Sequence, residues 1–128
     1  MRLLLDTHAL IWWLLGDPAL SRAARSAIAD DDNEVIVSAA SGWEISTKHR
    51  LGKLPGAANL AEDLGGAIAS QGFGELPISL RHAQLAGKLP GDHRDPFDRM
   101  LVAQAILGGL TVVSNETVFD RWAVRRLW

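Results

Sequence analysis

Four acidic residues stand beside apolar sequence at widely separated points of this chain. Asp6 ends the run Leu3-Leu4-Leu5, and Glu44 lies within Trp43-Glu44-Ile45. Asp98 sits in Asp95-Pro96-Phe97-Asp98-Arg99, and Glu116 follows Val112-Val113-Ser114-Asn115. Brought together, they would form the oxygen-only pocket that Mg²⁺ or Mn²⁺ requires. Clustered carboxylates repel, and one keeps its proton unless a cation neutralises the group. A divalent ion does that, draws a nucleophile from water and stabilises a developing oxyanion, which is the logic of metal-dependent phosphodiester hydrolysis.

Each acid also has a local reading. Asp6 or Thr7 caps the helix that follows. Asp98 falls three residues after Asp95, in a first helical turn where a carboxylate favours the dipole, and such an acid is still free to ligate a metal. Glu44 pairs with Lys48 on the helix surface at i, i+4. Glu116 lies in polar turn sequence. The case for a site therefore rests on the four in combination.

Other chemistries lack their residues. There is no cysteine, which removes disulfides, thiolate metal sites and thiol nucleophiles and fits a reducing cytoplasm. His8, His49, His82 and His93 show no i, i+4 pairing and read as structural or surface residues. No phosphate-binding glycine loop, dinucleotide fingerprint or Gly-x-Ser-x-Gly elbow is present. An aspartyl-phosphate chemistry of the haloacid-dehalogenase type needs a second Asp two residues after the first, where this chain has His8.

The elements that must position the acids read as alternating strands and helices. Residues 2–5 form a short strand, and a helix over 7–15 stops at Gly16-Asp17-Pro18. Ser21 caps a helix over 22–30, and β-branched 34–37 is a buried strand. Ser38 or Ser41 opens a helix carrying Glu44 that Gly52 ends. A further helix spans 59–71, weakened by Gly65-Gly66. Residues 76–78 are extended, and Ser79 caps a helix to about Gly87. Asp95 as N-cap and Pro96 at the first helical position begin a helix that runs to Gly108-Gly109. Then come a strand over 110–113, a short helix over 117–122 and a final edge strand within 124–128. This order predicts an α/β fold with a mostly parallel sheet, whose ligands bind beyond the carboxyl ends of the strands. Asp6 and Glu116 follow two of those strands.

The chain has 128 residues, so one domain over 1–128 is expected. Its net charge is −2, with six Lys/Arg against ten Asp/Glu in residues 1–80 and seven against five in 81–128. A nucleic-acid surface would thus be a local patch. Two basic groups are available, Lys48-His49-Arg50 with Lys53, and Arg121 with Arg125-Arg126; each is a solvated face or a set of phosphate contacts. Trp12 and Trp13 are adjacent on one helix and about 100° apart. They are not expected to share one core, which leaves one for a partner. Asp6 and His8 interrupt the N-terminal apolar run, so neither a secretion signal nor a membrane span is expected.

The segments 3–14, Ser41 to Lys48, Gly52-Lys53-Leu54, His93 to Ala105 and Thr111 to Phe119 resemble, in order, the PIN-domain ribonucleases. The likeness is greatest to the VapC-type toxins of prokaryotic toxin–antitoxin modules. Asp-Thr-His-Ala-Leu together with Asp-Pro-Phe-Asp-Arg carries the specificity. The resemblance implies a three-layer α/β/α sandwich around a mostly parallel sheet. It also implies an acidic Mg²⁺ or Mn²⁺ centre that cleaves RNA, whether tRNA, rRNA or mRNA. Asp6, Glu44 and Asp98 match the three core acids and the metal ligands, and Ser114 matches a small hydroxyl position. The fourth family acid is usually Asp and is here Glu116, whose longer side chain suits contact through water. The resemblance further implies a homodimer and a small antitoxin, with Trp12 and Trp13 as candidate contacts. The alternative is a PIN-fold binding module of weakened activity, which Glu116 in place of Asp keeps open.

Overall fold

A computed structural model describes all residues, 1–128. Five strands form one parallel sheet in the order β3-β2-β1-β4-β5. They are β1 (Arg2–Leu5), β2 (Glu34–Ser38), β3 (Gly74–Leu76), β4 (Thr111–Val113) and β5 (Arg125–Leu127). The expected mostly parallel sheet is parallel throughout, including the C-terminal edge strand.

Side-chain alternation along the strands builds the layers. Leu3, Leu5, Val35, Val37 and Val113 face one core, shared with Ala9, Leu10, Ala24, Ile28, Ile45 and Ile68. These come from α1 (Thr7–Leu15), α2 (Arg22–Ala29), α3 (Ala39–Arg50) and α5 (Leu64–Ser70). Leu4, Ile36 and Val112 face the other core, against Leu101, Val102 and Ala105 of α7 (Pro96–Gly108). Leu85 of α6 (Leu80–Lys88) packs at its margin. The strands are apolar on both faces because helices cover both, as parallel sheets require. The result is the α/β/α sandwich.

Most elements lie near where the pattern puts them, with two corrections and one choice between alternatives. The single helix over 59–71 is two, α4 (Ala58–Glu62) and α5, broken at Asp63. Asp63 leaves helical geometry (φ −144°, ψ 68°) and its carboxylate accepts from Gly66 N at 2.9 Å. The side chain thus caps a new helix instead of continuing the old one. Ser38, not Ser41, caps α3, accepting from Ala40 N at 3.0 Å. The short helix before β5 is a 3₁₀ segment, Thr117–Arg121.

The two adjacent tryptophans depart from expectation as well. Both are half-buried and both pack on the first core. Trp12 stacks on His8 and tilts against Trp128, while Trp13 donates to Gln71 Oε1 at 3.0 Å and lies against Phe73. An edge of the sandwich accommodates both directions at once.

Helix α7 ends at Gly109, which is left-handed at φ 63°. A Cβ there would meet open space, so Gly109→Ala would incur only the backbone cost. The expected loss is about 1–2 kcal/mol, read as a lower urea midpoint at unchanged m value.

Candidate functional site

The register of the sheet sets the site. Leu5 aligns with Val37 on one side and with Val113 on the other. The next residues, Asp6, Ser38 and Ser114, therefore stand side by side at the carboxyl edge, and Asp6 N donates to Val113 O at 3.1 Å. All three side chains turn onto backbone N–H groups. Asp6 accepts from Ala9 N at 2.7 Å and Ser114 from Glu116 N at 2.9 Å. Asp6 is thus the N-cap of α1, and the local reading of this residue is correct as far as it goes. Its carboxyl is nevertheless buried, and burial raises its pKa against the opposing effects of Ser114, Ala9 N and His8; Glu116 raises it further.

Asp98 is presented by α7. The Asp95 carboxylate accepts from Phe97 N and Asp98 N at 2.9 and 3.1 Å, with Pro96 in the first turn. His93 Nε2 lies 2.8 Å from Asp98 Oδ2, and its ring is edge-on to Trp122, whose indole N–H donates to Pro90 O. The Asp98 carboxyl is pushed up to about 6, first by burial, then by the like charges of Asp95 and Glu116, with His93 opposing.

Glu116 is the link between the two. It stands within Coulombic range of both Asp6 and Asp98, is itself partly exposed and reaches to 3.8 Å from His8 Nδ1. Glu44 has a different partner. It is 6% exposed, and its carboxylate is met by Lys48 Nζ at 2.5 Å. The i, i+4 pair exists as the spacing suggests, but its Glu44 end is buried while Lys48 stays partly exposed.

Two contacts tie the helices that carry these acids. Thr7 donates its hydroxyl to Ser41 Oγ at 3.1 Å, joining α1 to α3 one turn before Glu44. Trp43 and Phe97 meet edge to face at 4.8 Å between centroids, joining α3 to α7. The residues following this aromatic pair are Glu44 and Asp98. An apolar cavity of about 190 Å³ adjoins the pair, and none of the four acids lines it.

The histidines correct the sequence reading. His8 and His93 approach Glu116 and Asp98, although helical spacing gives no sign of it. The available signal was proximity in sequence: His8 is two residues from Asp6, and His93 is five from Asp98 in a loop closed by a cap and a proline. The second basic group is partly spent on structure. Arg126 is bonded to Asp120 at 2.9 and 3.1 Å and to Ser114 O, and Arg121 lies 3.7 Å from Asp92.

The donor set suits a hard cation. Asp6, Asp98 and Glu116 offer only oxygen, and the carboxyls of the two aspartates are pushed above their ordinary range, first by burial and further by the nearby charge of Glu116. A divalent ion relieves both effects. No three acid, histidine or cysteine side chains close on one point as they stand. Such a site matches an ion held by one or two carboxylates with water completing the shell, the usual mode of Mg²⁺.

The PIN-domain family model matches residues 3–124. The chain belongs to the PIN-domain family. PIN domains are generally nucleases and typically use divalent metals. The PIN fold here is similar to VapBC2 of Rickettsia felis bound to a promoter DNA fragment, at 16% identity and TM-score 0.72, covering 98% of this chain and 97% of that one. It is similar to FitAcB of Neisseria gonorrhoeae at 23% identity and TM-score 0.66, covering 97% and 95%. A toxin–antitoxin complex from Klebsiella pneumoniae matches at 20% identity and TM-score 0.58, covering 89% and 86%. No curated protein matches the chain in sequence. No helix is long and apolar enough to cross a membrane.

Asp98 gives a signed pH dependence. Between its ordinary value of 3.8 and about 6, the folded chain holds a proton that the unfolded chain has lost. Metal-free stability therefore falls as pH rises across this window and is highest below it. Asp98→Asn is expected to reduce that slope in a melting-temperature profile, leaving the part due to Asp6. An unchanged slope would show that Asp98 titrates normally.

Proposed function

We propose that this PIN domain, as one unit over residues 1–128, is a Mg²⁺- or Mn²⁺-dependent endoribonuclease and the toxin of a VapC-type toxin–antitoxin module in the cytoplasm. The observation that carries this reading is a pair of aspartates, Asp6 buried at the central strand end and Asp98 partly buried in the first turn of α7, both within range of Glu116. Family membership supports the nuclease class. The descriptions of similar structures, which include a toxin–antitoxin complex, support the module.

Asp6 and Asp98 would hold the ion, with Glu44 completing its shell, and Glu116 would reach it through water. When bound, the ion would lower the pKa of an attacking water and stabilise charge developing on the phosphate. The chain's own residues do the positioning. Ala9 N and Ser114 hold the Asp6 carboxylate, and the Asp95 cap sets the turn that aims Asp98. His93 holds one Asp98 oxygen and leaves the other open. Glu44 in its buried seat would orient the attacking water in line with the scissile bond. The substrate is single-stranded or loop RNA from tRNA, rRNA or mRNA. The working assembly would be a homodimer bound by a small antitoxin that covers the acidic groove, with the half-buried Trp12 and Trp13 as contacts.

Purified protein is expected to cleave RNA in Mn²⁺ or Mg²⁺ and to stop in a chelator. Asp6→Asn and Asp98→Asn should each cost more than the roughly 10–100-fold typical of losing an outer partner of a metal ligand. Sequencing of RNA 5′ ends after induction, with Asp98→Asn as control, would name the target. A folded protein that leaves RNA intact while cutting DNA or a phosphomonoester would overturn the ribonuclease reading. One that binds partners but no Mn²⁺ would favour the weakened binding module.

A further inference from the structure

Glu44 and Lys48 are an unequal pair. The Glu44 side chain is 7% exposed, whereas that of Lys48 is 31% exposed. A carboxylate so placed cannot be satisfied by bulk water and needs a cation within reach. Lys48 supplies it from one turn further along α3, with Nζ at 2.5 Å from Oε2. No other ion pair or side-chain hydrogen bond engages the Glu44 carboxylate. Lysine is suited to a bond that must be given up. Its ammonium is a compact point charge on a flexible stem, without the fixed fork by which arginine locks a carboxylate. Lys48 also stays open to solvent on one side, so its charge has somewhere to go.

We propose that Lys48 is a resident counter-cation that competes with the divalent ion for Glu44. This rests on the metal-centre reading above. In the metal-free protein, Lys48 holds the Glu44 carboxylate in place. When the ion engages Glu44, Lys48 is displaced towards solvent. The pair thus sets a threshold: the ion must displace an ammonium at Glu44 before the centre is complete.

The test is a Mn²⁺ titration followed by electron paramagnetic resonance on wild type, Lys48→Met and Lys48→Arg. Lys48→Met is expected to bind Mn²⁺ roughly tenfold more tightly, within the usual range of coupling between two ligands. Its melting temperature should also rise more on adding Mn²⁺ than that of wild type. Lys48→Arg should not gain affinity. If Lys48→Met binds Mn²⁺ as wild type does and is destabilised equally with and without it, the pair is only structural and the inference fails.

A second measurement needs no variant. Amine acylation of the wild type, read by mass spectrometry, should speed up severalfold at Lys48 on adding Mg²⁺, with Lys53 and Lys88 as internal references. An unchanged Lys48 rate overturns the inference. Asp6→Asn separates the two levels. If it abolishes Mn²⁺ binding, the acidic centre stands whatever Lys48 does. If it binds Mn²⁺ as wild type does, the centre is wrong and the role of Lys48 falls with it.

Discussion

Asp6 is a carboxylate buried at the end of the central strand, and much of the surrounding structure accommodates it. The strand must be apolar on both faces because helices cover both, so its end lies deep in the molecule. An acid at that position meets the full cost of desolvation, which is why burial is the leading cause of its raised pKa. Ser38 ends one neighbouring strand and Ser114 follows the other at the same level, and Ser114 donates to it. Capping α1 orients the carboxylate. The same burial that makes the residue costly makes it useful, since a desolvated acid gains most from a cation.

The other three acids are balanced in different ways. Asp98 shares its charge with His93 and is raised by its neighbours. Glu116 sits at the rim, half in water, with His8 at a distance. Glu44 has a full cation of its own in Lys48. The site is therefore a graded set, in which the carboxyls of Asp6 and Asp98 are pushed up and the two glutamates face Lys48 and His8.

How much of this was legible in the sequence depended on range. Asp95-Pro96 announced the start of α7 because capping and the proline ring act within one turn, and the structure keeps both. The two-faced strands were legible because their pattern has no polar side. The break at Asp63 was not, since an Asp before Leu-Gly-Gly reads equally as a weak helix interior and as a new cap; the bond to Gly66 N decides it. Glu44 with Lys48 was legible as a pair but not as one with a buried end, because i, i+4 spacing fixes which residues meet and not the depth at which they do. His93 was missed for a related reason. It reaches Asp98 through a turn geometry with no period to detect.

The clip between α3 and α7 shows why the site is assembled from both faces of the sheet's edge. Helix α3 contributes Ile45 to one core and α7 contributes Leu101 and Val102 to the other, so the sheet itself cannot hold Glu44 and Asp98 in fixed relation. Contact between them must be made above the strand ends. Trp43 and Phe97 make it, each immediately preceding its acid. An edge-to-face aromatic pair is worth about 0.5–1.5 kcal/mol beyond the area it buries, but the geometric consequence matters more. With Thr7 and Ser41 joining α1 to α3, three helices from two layers are fixed at one point. Glu44 and Asp98 inherit that fixed relation through one peptide bond each.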